Sequence, residues 1–468
     1  MPRALTILTL AALAAATLPA TAAGDNELTQ LRAELAALRQ SYDARIAALE
    51  ARLQQAEAPP AGAPPSTAAN GAAPLAAAPA AAPGGGFNPE VSLILQGQYR
   101  RLKDIDEREI TGFVAGGHDH DEEAAGPPRG FSLEHTELVL AANIDTHFRG
   151  LANFALNDGE VEVEEAWFQT AGLGHGAGLK AGRFFSGIGY ANEQHPHQWD
   201  FADPALMYTA LFGEHGNYAN DGVQLKWVAP TATFIELGAE IGRGANFPGT
   251  DRNVNGVGAT ALFAHVGGDV GASHSWRAGL SWLATRARDR ESHFEDTLAG
   301  EEVVGAFSGR SRTWIADAVW KWAPDGNPAR TNLTLQAEYF RRHERGDLTC
   351  FEEEATGTAC ADPVASRYRT RQSGWYAQAV YQFIPHWRAG ARYDRLSTGS
   401  IDYGLNDANL VIADYRPRRA SVMLDYNPSE FARLRLQFAR DRAMQGVTDN
   451  QVWLQYVMSL GAHGAHSF

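Results

Sequence analysis

The chain has 468 residues, a formal net charge of −15 at pH 7 and 44% hydrophobic residues. This length is too great for one ordinary soluble core, so one very large barrel or several domains are expected. The acidic balance argues against nucleic-acid binding, and 2 cysteines are too few for a disulfide scaffold or a cysteine-based zinc fold.

The first 22 residues have the organisation of a signal peptide. Arg3 supplies a positive charge, and the apolar run from Ala4 to Leu18 is too short to span a bilayer as a helix. Residues 20–22 fit a small-residue cleavage site. Because no later run of about 18 apolar residues occurs, we expect an exported protein without transmembrane helices.

Residues 24–57 are predicted to form a short periplasmic coiled coil. Leucines recur three and four residues apart from Leu28 to Leu38, and Ile46, Leu49 and Leu53 continue the stripe after one extra residue. Coiled coils oligomerise, and the alternative is a single amphipathic helix lying on the rest of the protein. Residues 58–86 are almost entirely Ala, Pro and Gly, which indicates an extended linker.

From Val91 onward, apolar and polar residues alternate with a period of two. Trp387, Ala389, Ala391 and Tyr393, for example, alternate with polar or small residues. Apolar stripes that end in Trp or Tyr are typical of membrane barrels with aromatic girdles. A set of soluble β-sandwiches is disfavoured, because the stripes are rich in Ala, Gly, Trp and Tyr and the connectors alternate between short and long.

Residues 87–468 are therefore predicted to form an all-β fold, an antiparallel transmembrane β-barrel of about 16 strands. An even number is what single-chain bacterial barrels require. The predicted strands are 91–101, 131–142, 148–157, 161–170, 178–184, 220–229, 233–242, 257–266, 274–284, 312–322, 331–341, 373–383, 387–396, 418–427, 431–440 and 449–460.

Short and long connectors between these strands lie on opposite sides of the predicted barrel. Short connectors fall on the side of both termini, which places the amino-terminal segment in the periplasm and the barrel in the bacterial outer membrane. The predicted long outer connectors are 102–130, 185–219, 285–311, 342–372 and 397–417.

The combination of signal peptide, Leu-rich coiled coil, Ala/Pro linker and 16-strand barrel resembles the phosphate-selective porin O and P family. The segments 180–184 (KAGRF), 220–224 (NDGVQ) and 426–430 (YNPSE) are similar to strand and turn motifs of that family. The resemblance implies a homotrimeric channel whose third outer loop folds inward and narrows the pore. It also implies anion selectivity through lumen Arg and Lys.

The third outer connector departs from the pattern of an anion channel, because it contains no Lys or Arg between about 186 and 219. A phosphate constriction needs cationic donors, whereas acids with neutral His favour cations and borderline metals such as zinc. The alternative is that these side chains only hold the connector in place. The predicted constriction consists of Glu193, His195, His197, Asp200, Asp203, Glu214 and His215.

Three further groups of residues carry site predictions. The tract His118, Asp119, His120 and Asp121 in the first outer connector is a candidate metal site or a solvated loop. Cys350 and Cys360 share one outer connector, where an exported protein is expected to form a disulfide. A lumen charge wall, either guiding anions or pairing with acids, is predicted from Arg277, Arg388, Arg392, Arg433 and Arg435.

The predicted function is passive diffusion of small ions across the outer membrane, with divalent metal cations such as zinc as the expected preference. The alternatives are a phosphate or anion porin and a structural protein that tethers the envelope. No enzyme is expected, since neither a Gly-x-Ser-x-Gly elbow nor a His-Glu-x-x-His helix occurs. No cofactor is expected beyond a zinc ion. The expected partners are further copies of the chain, outer-membrane lipid, lipopolysaccharide and small ions.

Overall fold

The computed structural model describes residues 89–105, 108–113, 128–133, 135–157, 160–213, 216–298, 300, 302–352 and 357–461. The predicted signal peptide, coiled coil and linker lie outside the described residues. So do the tract His118, Asp119, His120 and Asp121 and two members of the predicted constriction, Glu214 and His215.

Within the described ranges, sixteen antiparallel strands follow one another around a single sheet, and one short extra strand, His293–Glu295, pairs with the start of the tenth. The second strand has two segments that both pair with the first. The strands are β1 (Glu90–Arg101), β2 (Gly130–Leu133 and Thr136–Asn143), β3 (Phe148–Asn157), β4 (Glu160–Thr170), β5 (Ala177–Phe185), β6 (Ala219–Val228), β7 (Phe234–Gly242), β8 (Ala259–Val270), β9 (His274–Arg290), β10 (Glu302–Trp322), β11 (Asn332–Phe351), β12 (Val364–Ile384), β13 (Trp387–Asp402), β14 (Arg418–Ser429), β15 (Ala432–Arg442) and β16 (Asp449–Gly461).

The sheet closes on itself, because the first strand pairs with the last. The β1–β16 register runs from Ser92 opposite Gly461 to Arg101 opposite Val452. Closure pairs every one of the sixteen strands with two neighbours, so none of them forms a free edge of the sheet. The predicted closed antiparallel barrel of sixteen strands is confirmed.

Side chains alternate between the two faces of the barrel wall, as a period of two requires. On β11, Gln336, Glu338 and Arg342 are buried on the inner face, while Leu335 and Tyr339 are exposed on the outer face. The inner face is therefore largely polar and the outer face apolar over the middle of each strand. This is the reverse of a soluble β-sandwich, whose apolar faces are buried.

Five strands extend further on the outer side than the sequence predicts. β9 continues to Arg290, β10 begins at Glu302, and β11 reaches Phe351. β12 begins at Val364 and β13 continues to Asp402. The expected long loops over 285–311, 342–372 and 397–417 are thus partly wrong, because much of each consists of paired strand that stands above the apolar band.

The connector between β5 and β6 is different, since it holds the helix α1 (Leu206–Phe212). None of the helices in the described part of the chain is long and apolar enough to cross a membrane. α1 carries Met207 and Leu211, which are fully buried against inner-face residues such as Ile315 and Phe340. The main apolar cluster of the described residues therefore lies within the barrel.

Candidate pore constriction and histidine–glutamate cluster

Segment 186–218, which joins β5 to β6, enters the lumen of the barrel. Its first residues turn inward because Ser186 Oγ and the Gly187 N–H both donate to Glu240 on β7, at 2.6 and 2.9 Å. Gly187 also lies against the Phe263 ring, and a Cβ there would come within 2.6 Å of it. A glycine at this position is what lets the chain pass so close to the wall.

The rest of segment 186–218 contacts the inner wall on several sides. The Leu206 N–H donates to Asp394 on β13 at 3.0 Å, and the Ala202 N–H donates to Gln437 on β15 at 2.7 Å. His197 lies 2.8 Å from Glu137 on β2. β15 is eight strands from β7 in the closed sheet of sixteen, so Gln437 and Glu240 lie on opposite sides of the lumen and the segment crosses the barrel.

Glu338 on β11 is the most heavily used anchor of segment 186–218. Its carboxylate accepts the backbone N–H groups of Tyr190 and Ala191, both at 3.1 Å. It also accepts the hydroxyls of Tyr208 and Tyr376, at 3.0 and 2.6 Å. Three of these donors belong to the segment and Tyr376 belongs to β12, so Glu338 ties the segment to the wall: another path would leave the three segment donors without this acceptor.

Three predicted constriction acids contact cations of the wall. Asp200 pairs with Arg388 at 3.1 Å. Asp203 lies between Arg392 and Arg419, at 2.9 and 2.7 Å. Burial alone would raise the pKa of the Asp203 carboxyl, but these two guanidinium groups outweigh burial and hold the pKa below its usual range.

Glu193 is the third of these acids, and Lys226 on β6 donates to it at 2.8 Å. Burial opposes ionisation of the Glu193 carboxyl, but the ammonium of Lys226 outweighs it and lowers the pKa to about 2. All three acids therefore pair with cations of the inner wall, which fixes the segment electrostatically.

The predicted constriction histidines form a cluster with strand residues that the sequence did not single out. His195 Nδ1 lies 3.3 Å from Glu164 and 3.4 Å from Glu137, and its Nε2 lies 3.0 Å from Glu165. His135 Nε2 lies 2.5 Å from the other oxygen of Glu164. We call these residues the histidine–glutamate cluster, which comprises His135, Glu137, Glu164, Glu165, His195 and His197.

The pKa values of the two cluster histidines in segment 186–218 are shifted in opposite directions. Burial alone would lower the pKa of His195, but Glu137, Glu164 and Glu165 outweigh burial and raise it well above its usual value. Burial lowers the pKa of His197, and Glu137 offsets this only in part. Because the imidazole rings stack 5.8 Å apart, a charge on one ring disfavours a charge on the other.

The donor set of the cluster fits a divalent transition metal. Ligand atoms of His135, Glu137 and Glu164 all lie within 4.8 Å of one another. Two ligands of one zinc ion, each at roughly 2.1 Å, are at most about 4.2 Å apart, so the group would need to close only slightly. Imidazole and carboxylate are also the ligand types that suit zinc in proteins.

The five arginines of the predicted lumen wall all lie on the inner face. Arg388 and Arg435 share Asp425, at 2.6 and 2.8 Å, and Arg392 pairs with Asp394 at 3.1 Å. Arg433 donates to the backbone carbonyls of Trp199 and His197. Arg277 stacks on the Tyr190 ring at 5.3 Å. Three of the five, Arg388, Arg392 and Arg435, thus form ion pairs with acids, and the other two contact segment 186–218.

A cavity of about 460 Å³ remains in the lumen between segment 186–218 and the strands β1, β2 and β14–β16. Charges of both signs line it, including Arg100, Arg419, Asp441 and Asp449. His135 also lines this cavity, so the histidine–glutamate cluster borders the open part of the lumen. An ion in the cavity therefore has a route to the cluster.

Cys350 and Cys360 form a disulfide with their Cα atoms 5.6 Å apart. Both are fully buried beside Tyr368, Tyr403 and Leu410 at the outer end of the barrel. The disulfide ties the end of β11 to the connector before β12, far from the histidine–glutamate cluster.

A closed sixteen-strand barrel with a connector folded into its lumen defines the class of this protein. Within that class, the chain belongs to the same family as a protein of Aquifex aeolicus (strain VF5) that carries the description "Uncharacterized protein". The two are 32% identical over 410 residues, which cover 82% of this chain and 80% of the relative. No family model matches the chain, so the resemblance to the phosphate-selective porin O and P family stays a prediction.

Solved structures similar to the chain include an outer membrane protein, an outer membrane channel and a porin. The loop L8 deletion mutant of OmpT, an outer membrane protein of Vibrio cholerae, is 11% identical, with 80% of this chain and 99% of that chain covered and a TM-score of 0.48. The outer membrane channel DcaP of Acinetobacter baumannii is 14% identical, with 80% of this chain and 98% of that chain covered and a TM-score of 0.45. An anion-selective porin from Comamonas acidovorans is 9% identical, with 80% of this chain and 100% of that chain covered and a TM-score of 0.46. Since these TM-scores are below 0.5, the barrel assignment rests on the strand pairing itself.

Proposed function

We propose that this protein is an outer-membrane channel through which small ions diffuse passively, with its lumen narrowed by segment 186–218. The observation that carries the proposal is the set of contacts between this segment and opposite sides of the inner wall, from Glu240 to Asp394 and Glu137. A connector held across the lumen sets the size and charge of what passes. No energy source is needed, because solutes move down their own gradients.

The outer face of the barrel supports a membrane location. Exposed side chains around the barrel are large and apolar, such as Leu237, Leu262, Val422 and Leu454. Aromatic pairs mark both ends of this band: Trp276 lies opposite Trp320, and Trp282 lies opposite Trp314. From 276 to 282 the strand extends six residues, roughly 20 Å along its own axis and, at a tilt of about 40°, roughly 15 Å along the membrane normal, which lies within the apolar band of about 25 Å of outer-membrane barrels.

The histidine–glutamate cluster supports a preference for divalent cations such as zinc. Three carboxylates and three imidazoles meet where segment 186–218 contacts β2 and β4, beside the open cavity. Carboxylates attract cations, and imidazoles select borderline metals over potassium or sodium. Such a site must bind the ion weakly enough to release it for conduction.

The runner-up is an anion channel, which the family resemblance implies. The observation that favours it is Arg277, which faces the lumen and, among the described residues, stacks on Tyr190 without an ion pair. The other four lumen arginines are less available to passing anions, since acids or backbone carbonyls already occupy their guanidinium groups.

The test is single-channel recording of the full-length protein in a planar bilayer under a potassium chloride gradient, with and without zinc or phosphate. We expect a cation-selective reversal potential and block by micromolar zinc. The variant pair E137Q/E164Q should abolish the zinc block. E162Q is the matched control, because Glu162 is an exposed carboxylate on the same strand as Glu164.

Three other outcomes would change the conclusion. An anion-selective reversal potential with block by phosphate would favour the runner-up. Equal zinc block in the wild type and in E137Q/E164Q would remove the metal preference but leave the channel. Absence of conductance from correctly folded protein would favour the structural alternative, in which the amino-terminal segment tethers the envelope.

A further inference from the structure

The outer ends of four neighbouring strands carry a row of arginines that lie directly opposite one another. In the strand register, Arg286 on β9 faces Arg310 on β10, Arg310 faces Arg345 on β11, and Arg345 faces Arg369 on β12. All four side chains are exposed on the outer face of the barrel. We call these four residues the upper arginine row.

A second row lies on the same face, two residues closer to the membrane along each strand. Arg312 on β10 is opposite His343 on β11, and His343 is opposite Arg371 on β12. Both arginines are exposed on the outer face. The two rows together place six arginines on one continuous patch of four strands.

Like charges directly opposite each other in a sheet are destabilising, because their Cβ atoms are only about 5 Å apart. The usual remedy is an acid within the row. The upper row meets its first acid only at Asp402, which is opposite Arg369 on β13 but pairs with Arg367 at 3.5 Å. Among the residues that the structure describes, no acid forms an ion pair with any of the six arginines. The repulsion is therefore not relieved within the described part of the chain.

The rows sit just beyond the outer aromatic pair. Trp314 is two residues from Arg312 and four residues from Arg310 along β10, and Trp282 is four residues from Arg286 along β9. Trp and Tyr on membrane barrels lie at the level of the lipid headgroups. Side chains immediately outside them, on the face away from the lumen, point into the headgroups of the outer leaflet.

We propose that the two arginine rows bind the phosphate groups of an anionic glycolipid in the outer leaflet. The proposal rests on the proposed function only in that the barrel must span the outer membrane. Guanidinium groups bind phosphate through paired N–H donors, and arginine is favoured over lysine for this geometry. Strands are about 4.8 Å apart, so four arginines in register extend over roughly 14 Å, which suits one headgroup with two phosphates.

A second copy of the chain is a poor occupant for this patch, because it would bring its own arginines against these. The lipid also explains why the strands continue above the apolar band. Paired strand holds the arginines in fixed rows at the headgroup level, whereas a loop would leave them free to disperse.

The test is binding of fluorescent lipid A that carries both phosphates to the full-length protein in detergent micelles. The variant is R310Q/R345Q, which removes the centre of the upper row. The control is R149Q/R330Q, which removes two exposed arginines at the opposite, periplasmic end of the barrel. Because each arginine near an anionic surface contributes about fivefold to binding, we expect R310Q/R345Q, which removes two, to bind about thirtyfold more weakly than wild type. The control should bind as wild type does.

Two results would overturn the proposal. One is equal binding of lipid A by R310Q/R345Q and by the control. The other is equal binding of lipid A with and without its phosphates by the wild type. Conductance of the same preparations separates this proposal from the proposed function: a conducting wild type with either result would refute only the lipid site, and a folded wild type without conductance would refute only the channel.

Discussion

Asp425 on β14 holds two arginines of the neighbouring strands. It contacts Arg435 on β15 at 2.8 Å and Arg388 on β13 at 2.6 Å, and both Asp425 and Arg435 are fully buried. Removing one partner of a buried ion pair leaves an uncompensated charge, which is more costly than the net contribution of the pair itself. The stability of the inner wall between β13 and β15 therefore depends on the carboxylate of Asp425.

Replacement of Asp425 by alanine is expected to lower the free energy of unfolding by about 3–5 kcal/mol. The measurement is urea denaturation of the barrel in lipid vesicles. D221A is the control, because the Arg183–Asp221 pair is about 40% exposed on both sides and should contribute less than about 1 kcal/mol. Similar losses for D425A and D221A would contradict the assigned role of burial.

Asp203 makes the position of segment 186–218 sensitive to acid. The groups that face its carboxyl are Arg392, Asp394, Arg419, Gln437 and Asp441. Since the folded pKa is held below the unfolded value of about 3.9, its stabilising contribution is complete above that value and is lost as the pH falls through the folded pKa.

Acidification below about pH 4 is therefore expected to loosen the segment and to make single-channel current fluctuate more. D203N should show these fluctuations already at pH 7, because its neutral amide cannot replace the carboxylate between two guanidinium groups. Quiet, wild-type-like current from D203N at pH 7 would rule out Asp203 as an anchor.

The sequence predicted only part of the histidine–glutamate cluster, and the reason is physical. His195 and His197 were found because acids and histidines are concentrated in a connector without Lys or Arg. The sequence missed the other four members, because nothing local tells which strand faces the connector across the lumen: His135, Glu137, Glu164 and Glu165. The available signal was weak: carboxylates on β2 and β4 at positions that should face inward.

At the level of elements, the strand predictions held where apolar residues alternate with polar ones and failed where that alternation ends. β10 was predicted from 312 but begins at Glu302, and β12 was predicted from 373 but begins at Val364. The outward positions hold three arginines in the β12 extension (Arg367, Arg369 and Arg371) and Arg310 in the β10 extension, so the apolar signal is lost although the backbone pairing continues. All of these arginines except Arg367 belong to the proposed lipid site.

Segment 186–218 is an element whose position depends largely on one carboxylate. Replacing Glu338 by alanine removes the acceptor of four hydrogen bonds, each worth about 1 kcal/mol. We expect E338A to keep the barrel, which does not need Glu338 for strand pairing, and to show larger and noisier single-channel conductance. The matched control is Q336A, two residues along the same face of β11.

An unchanged conductance of E338A would contradict the proposal that this segment narrows the lumen. Hydrogen exchange adds a second readout, because the amides of Tyr190 and Ala191 should exchange faster in E338A than in Q336A. Protection that stays equal in both variants would show that other contacts determine the path of the segment.

At the level of the whole molecule, closure and function reside in the same part of the chain. The ten register pairs between β1 and β16 close the barrel, and all contacts of segment 186–218 described above lie between residues 135 and 437. These residues all lie outside the predicted coiled coil and linker. Conduction and oligomerisation should therefore be separable by deletion.

Deletion of residues 24–86, with the predicted signal peptide kept, is expected to leave the conductance of each barrel unchanged within experimental error. The predicted coiled coil should instead affect assembly, so the deletion should shift the molecular mass in detergent, measured by light scattering, from an oligomer towards a single chain. If the coiled coil is only a helix lying on the barrel, the mass will not change. A deleted chain that folds but no longer conducts would show that the amino-terminal segment is part of the channel, contrary to the placement of the pore in the barrel alone.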